Sequence, residues 1–145
     1  MSLLLVVHLV LVAAYAGFQW TVRGLVYPQF ALVGDGFGRY ERAHQQRVSR
    51  VVGPLFAGLG VSTLWLLAVR LSGAALDGVP LAGVLGSAGC LAVVLAVTAL
   101  GAVPLHRRLD TGWDAAAHAR LLRVDSVRAA AASANVLLAG WLVLA

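Results

Sequence analysis

Residues 104–128 read P-L-H-R-R-L-D-T-G-W-D-A-A-A-H-A-R-L-L-R-V-D-S-V-R, and this stretch decides the fold. It holds five of the eleven arginines and two of the four histidines, with an apolar segment on each side. A polar run placed this way reads as the hinge between two membrane-spanning helices. Pro104 is expected to end the first of them, residues 106–113 to form the hinge, and Asp114 to cap the next helix. The second half of the stretch, with His118, Asp125 and Arg128, re-enters the bilayer as helix.

Outward from the hinge, composition leaves one architecture. Of the 145 residues 61% are hydrophobic and 12% charged, and mean hydropathy is +0.88. No ordinary soluble domain of this length has that balance. About 20 apolar residues cross a bilayer as helix, so the chain has room for four spans and no separate soluble domain. The expected fold is all-α: one integral membrane four-helix bundle over 1–145, with spans near 3–27, 40–71, 81–103 and 115–145. Pro28 and the glycines at 34, 36 and 38 mark the first connection, Pro54 is expected to kink the second span, and residues 73–80 form a short loop. The opening segment lacks the basic n-region of a signal peptide and reads as a retained first helix.

The net charge of +5 comes from arginine alone, since there is no lysine. No basic tail extends into water, so nucleic acid is not an expected partner; membrane lipid is. Ten of the eleven arginines, all but Arg70, fall at the end of span one, the start of span two, or in and after the hinge. The positive-inside rule then predicts up-down-up-down topology, with both termini outside and the polar face cytoplasmic. On that face Tyr27, Tyr40, Glu41, His44, Arg47, His106, His118, Asp125 and Arg128 can converge. Tyr15, Gln19 and Arg23 recur every four residues and are expected to point into the bundle. The outer half reads as apolar, with Asn135 as its main internal exception.

Each polar group admits a structural and a chemical reading. Asp125 and Arg128, three residues apart, can be an ion pair that lets two charges enter the interface cheaply, or a proton donor and its partner. His44, His106 and His118 lie at one level on three helices and could hold copper, iron or zinc with an open position. No HxxxH or HxxE spacing supports that, and interfacial hydrogen bonding explains them as well. The lone Cys90 excludes a CxxC redox motif and an internal disulfide. No DDxxD or NxxxD pair is present to hold magnesium against a diphosphate, and there is no nucleophile elbow, P-loop, dinucleotide fingerprint or inverted repeat.

At Gly17-Phe18-Gln19-Trp20, Val26-Tyr27-Pro28, residues 40–47 and Val103-Pro104-Leu105-His106, the chain resembles a family of small four-span bacterial membrane proteins. That family, mostly of unknown function, is itself similar to anthrone-oxygenase-like membrane proteins. Its fourth helix begins Asn-Trp-Ile-Arg-Thr, followed by Trp and Arg. Here those places hold Asp125-Ser126-Val127-Arg128-Ala129, then Ala132 and Asn135. Bulky side chains have become small and an amide has become an acid, as enlarging a pocket and installing a proton donor would require. The description fits small membrane-bound terpene cyclases.

Three functions are therefore expected in order. The first is a metal-independent cyclase for an isoprenoid or meroterpenoid. Asp125 would be its general acid, Glu41 the competing candidate, and His44 or His118 the orienting group. Tyr15, Phe18, Trp20 and Tyr40 would supply cation-stabilising faces. The second, implied by the resemblance, is a copper- or iron-dependent oxygenase of a lipophilic aromatic using His44, His106 and His118. The third is a non-enzymatic small subunit or lipid-binding bundle, which like the others could form a homo-oligomer.

Overall fold

The computed structural model describes residues 2–73, 76 and 78–145, and contains no strand among them. Four helices are long and apolar enough to cross a membrane: α1 (Leu3–Leu32), α2 (Phe37–Ser72), α3 (Leu81–Leu109) and α4 (Ala115–Leu144). They are consistent with a multi-pass membrane protein. Part of the expected 73–80 loop, Ala74, Ala75 and Asp77, lies outside the described residues.

Two expected helix ends move. α1 continues past Pro28 to Leu32, and α3 past Pro104 to Leu109. The reason is the same in both. A wider, π-helical turn, Val22–Val26 in α1 and Thr98–Ala102 in α3, precedes each proline, which then sits in the first turn of the following α segment. A proline has no N–H and its ring crowds the carbonyl one turn back; a widened turn removes both conflicts. The hinge thereby shrinks to residues 110–114, and His106 lies on helix rather than in the loop. α2 likewise runs unbroken through Pro54.

The two halves share more than the proline. Eight residues after each one stands a glycine with positive φ, Gly36 at 84° and Gly112 at 139°, followed by an aromatic, Phe37 or Trp113. Both glycines make the turn into the next helix, where a side chain would be strained. Asp114 caps α4 as expected, its Oδ1 accepting from Ala117 N at 2.9 Å.

α4 packs most extensively against α1 and α3, and α2 packs less extensively against the same two helices. Close approach depends on small residues, as the Gly- and Ala-rich third span leads one to expect. Leu142, Leu138 and Val124 of α4 press against Gly83, Gly86 and Gly101 of α3. At the polar end, a methyl group on Gly38 would stand 2.6 Å from the carbonyl oxygen of Asp110, which also accepts from Arg42 Nη1 at 2.9 Å. Gly38 thus sets the distance between the start of α2 and the end of α3.

Gly38→Ala should therefore lower stability by about 1–3 kcal/mol, because the clashing partner is backbone. Gly24→Ala, where nothing lies within 4 Å, should not. Thermal unfolding in detergent compares them, and equal melting temperatures would refute the contact. Asp114 gives a second test. Its bond from Ala117 N–H, then its contact with Arg108, hold the carboxyl below the ordinary aspartate range. A lowered folded value stabilises above the unfolded pKa of about 3.9 and is lost as pH falls through the folded value. Asp114→Asn keeps a capping oxygen, so its melting curve should lose part of that acid sensitivity; an unchanged pH profile would count against it.

Candidate active site

On α2, Glu41, His44, Gln45, Val48, Val52 and Phe56 recur at steps of one helical turn and share one face. That face borders a cavity of about 300 Å³ to which all four helices contribute. Phe18, Val22 and Tyr27 come from α1, Thr98, Ala102 and His106 from α3, and Arg128 from α4. Exposed Ser49, Val103 and Arg107 also belong to the wall, so the cavity opens outward between α2 and α3.

A chain of three side chains reaches this cavity. The Tyr27 hydroxyl lies 2.9 Å from His106 Nε2, and His106 Nδ1 is in close contact with Glu41 Oε1. Gln45 Nε2 donates to the same carboxylate oxygen at 3.1 Å and to Asp110 Oδ1 at 2.7 Å. Glu41 has no exposed surface. An acceptor at Nδ1 places a hydrogen there, so Nε2 accepts from Tyr27 when the ring is neutral and donates when it is protonated. Carboxyl, imidazole and phenol form a hydrogen-bonded chain whose last two members line the cavity, an arrangement able to carry a proton.

Behind the opposite wall lies a second group. Tyr15 Oη donates to Gln19 Oε1 at 3.0 Å, and Gln19 Nε2 donates to Asp125 Oδ1 at 2.6 Å. Arg128 Nη1 reaches that oxygen at 3.1 Å, and Nη2 lies 3.4 Å from Tyr15 Oη. The expected ion pair is present but fully inside the bundle, Asp125 at 0% and Arg128 at 5% exposure. Among the described residues, Asp125 Oδ2 and Arg128 Nε have no hydrogen-bond partner. Arg128 faces the cavity, while Asp125 stands behind it as counter-ion.

The remaining expected residues divide. His118 Nε2 donates to the Tyr27 carbonyl at 2.8 Å and its ring packs on Trp113. His44 stacks on His106 with centroids 6.0 Å apart, and Phe30 packs against both His44 and His118. The three histidines share a level without converging: among the described residues no three His, Cys, Asp or Glu side chains are grouped to hold a metal ion. Trp20 is 55% exposed, with its N–H on Ser133, and Tyr40 and Arg47 lie at the surface. Arg23 departs from the inward face of Tyr15 and Gln19. The buried face steps from Gln19 to Val22, the i+3 position, and leaves Arg23 half-buried with its Nε donating to Ser126 Oγ at 3.0 Å.

Asn135 belongs elsewhere. It accepts from Ser87 Oγ at 2.6 Å, and His8 bridges Ser87 and Ser62, each at 2.9 Å. The half of the bundle away from the arginine-rich end, expected to be apolar, is therefore not apolar inside: a buried polar chain ties its four helices together, and His8 is at its centre. Sequence reading also passed over Gln45, Asp110, Thr98, Val103, Ser49 and Arg107. Gln45 had a readable signal, its four-residue spacing from Glu41.

If Asp125 compensates a buried charge, Asp125→Ala should destabilise the protein by about 3–5 kcal/mol, since Arg128 is left unpaired. Replacing both, as Asp125→Leu with Arg128→Met, should recover most of that loss; a single variant as stable as the parent would dismiss the pairing. No family model, no curated protein and no solved structure matches this chain.

Proposed function

We propose that this chain is a membrane-embedded enzyme that cyclises an isoprenoid or meroterpenoid by proton transfer, a terpene-cyclase-type isomerase needing no cofactor for its first step. The observation that carries this reading is the Glu41–His106–Tyr27 chain, which ends in a cavity whose wall also includes the apolar side chains of Phe18, Val22, Val52 and Phe56. A volume of about 300 Å³ suits one small lipophilic molecule. The gap between α2 and α3 admits it from the bilayer.

The chemistry is general acid followed by general base. Protonated His106, held by Glu41, delivers its Nε2 proton through or beside the Tyr27 hydroxyl to an epoxide or alkene of the substrate. An alkene π pair closes the ring, the cation runs past the aromatic faces of Phe18 and Phe56, and loss of a proton to His106 ends the reaction. The product has the mass of the substrate. Asp125, first in line from sequence as the acid, here orients Arg128 through Oδ1. His44 packs beside the relay and His118 secures the backbone at Tyr27.

In this reading the helices alternate up-down-up-down in a bacterial cytoplasmic membrane, with termini outside and the site at the cytoplasmic end where the arginines gather. The resemblance to small four-span membrane proteins supports the scaffold. Lipophilic substrate and surrounding lipid are the partners, and the bundle can form a homo-oligomer.

Tyr27→Phe and His106→Asn should each lower kcat about 10²–10⁴-fold on a prenylated substrate, read by mass spectrometry of isomeric products. Asp125→Asn should cost less. The reverse ranking would return the acid's role to Asp125. Stoichiometric copper or iron with dioxygen uptake would replace this reading by the oxygenase. Assembly defects in the same variants, with no turnover in the parent, would replace it by a structural subunit.

A further inference from the structure

Arg120 and Arg123 stand three residues apart on the exposed side of α4, and neither has a side-chain hydrogen bond or an ion pair among the described residues. Side chains at that spacing are neighbours on a helix, so the two cations repel each other. Four acids at this end of the bundle are engaged elsewhere. Glu41 is held by His106, Asp110 by Gln45, Asp114 by Arg108 and the start of α4, and Asp125 by Arg128. Arg39 and Arg50 are also exposed and unpaired among the described residues. What sets Arg120 and Arg123 apart is the surface beside them, an open groove of about 480 Å³ between α3 and α4. Its other lining is apolar: Leu100, Gly101, Pro104, Leu105 and Val124. Val124 packs straight onto Gly101, whose missing side chain keeps the floor of the groove low.

The order of these groups along the bundle matters. α3 runs toward the arginine-rich end, so at a rise of about 1.5 Å per residue Leu100 lies roughly 7 Å deeper than Leu105. Cations at the mouth with hydrocarbon below match, in sequence, the phosphate and the acyl chain of a phospholipid. Guanidinium forks fit phosphate oxygens, and a headgroup of net negative charge supplies what the four engaged acids do not. A soluble phosphate would leave the apolar floor uncovered, and a zwitterionic headgroup would bring a cation of its own. We propose that this groove binds an anionic phospholipid of the phosphatidylglycerol type. Its phosphodiester accepts from both guanidiniums, and one acyl chain lies over Gly101 and Val124 toward Leu100. The lipid joins α3 to α4 beside the wide turn Thr98–Ala102. The groove shares no lining residue with the cavity, so this site stands whatever reaction the cavity performs.

Native mass spectrometry of the full chain in neutral detergent, titrated with palmitoyl-oleoyl phosphatidylglycerol or phosphatidylcholine, tests the site. The anionic lipid should bind roughly tenfold more tightly, the preference expected of hydrogen bonds to charged donors. Arg120→Gln with Arg123→Gln should bring the ratio near one, at exposed positions whose loss leaves the packing intact. Arg39→Gln with Arg50→Gln removes the same charge away from the groove and should leave the preference in place. Equal binding of the two lipids by the parent protein would overturn the proposal without any variant. An equal loss in both double variants would overturn it in favour of diffuse attraction to the whole basic end. Glycerol 3-phosphate carries the phosphate without chains, and its displacing the lipid at equal concentration would refute a lipid occupant. A phosphatidylglycerol with a mid-chain diazirine should label residues 100–105 or 120–124 on irradiation. Labelling confined to α1 and α2 would place the chain elsewhere and refute the groove.

Discussion

Two charges on one turn of α4, Asp125 and Arg128, stand inside an apolar bundle, and much of the arrangement follows from keeping them there. Neither tolerates burial alone, and three residues of helix bring them within reach of each other. The pair still leaves lone pairs and protons over, and α1 supplies partners for some of them. Gln19 and Tyr15 meet that need only when α1 lies against α4 in one register. A polar cluster with one solution thus selects one docking of two helices whose apolar surfaces would accept several. The extensive α1–α4 contact is the packing that results.

The same logic repeats at two other depths. In the half away from the arginines, His8 reaches Ser62 on α2 and Ser87 on α3, and Ser87 reaches Asn135 on α4. At the polar end, Glu41 on α2, His106 on α3 and Tyr27 on α1 join in turn. In lipid, apolar contact barely discriminates one helix rotation from another, so hydrogen-bonding side chains carry the specificity. The polar end differs because part of its network faces an unfilled space. There α2 and α3 are tied by the Glu41–His106, Gln45–Asp110 and Arg42–Asp110 contacts, and beside these the cavity wall carries His44 and Gln45 from α2 and His106 and Arg107 from α3.

The prolines show how local geometry serves that end. Pro28 and Pro104 would each break a regular helix, yet both helices pass through them because a five-residue turn has been widened just ahead. Such wide turns recur at functional sites because they re-aim the side chains that follow. Tyr27 and His106 come one and four residues after the two wide turns, and they are bonded to each other.

The sequence by itself determined the class of solvent, the number of helices and the end at which charge collects. Hydropathy and arginine placement are one-dimensional properties that no packing can alter. It also determined contacts within one helix turn, such as the Asp114 cap and the Asp125–Arg128 pair, because the helical period specifies them. The tertiary structure decided which faces meet. Glu41 and His106 are 65 residues apart, and Tyr27 and His106 are 79 apart. Periodicity says which residues share a face but not how that face is rotated toward a neighbouring helix. The wide turns add to the difficulty, since each shifts every later residue to a new angle. Arg23 lies beside the interior face, where Val22 takes the buried position, and the three histidines do not gather at one point among the described residues.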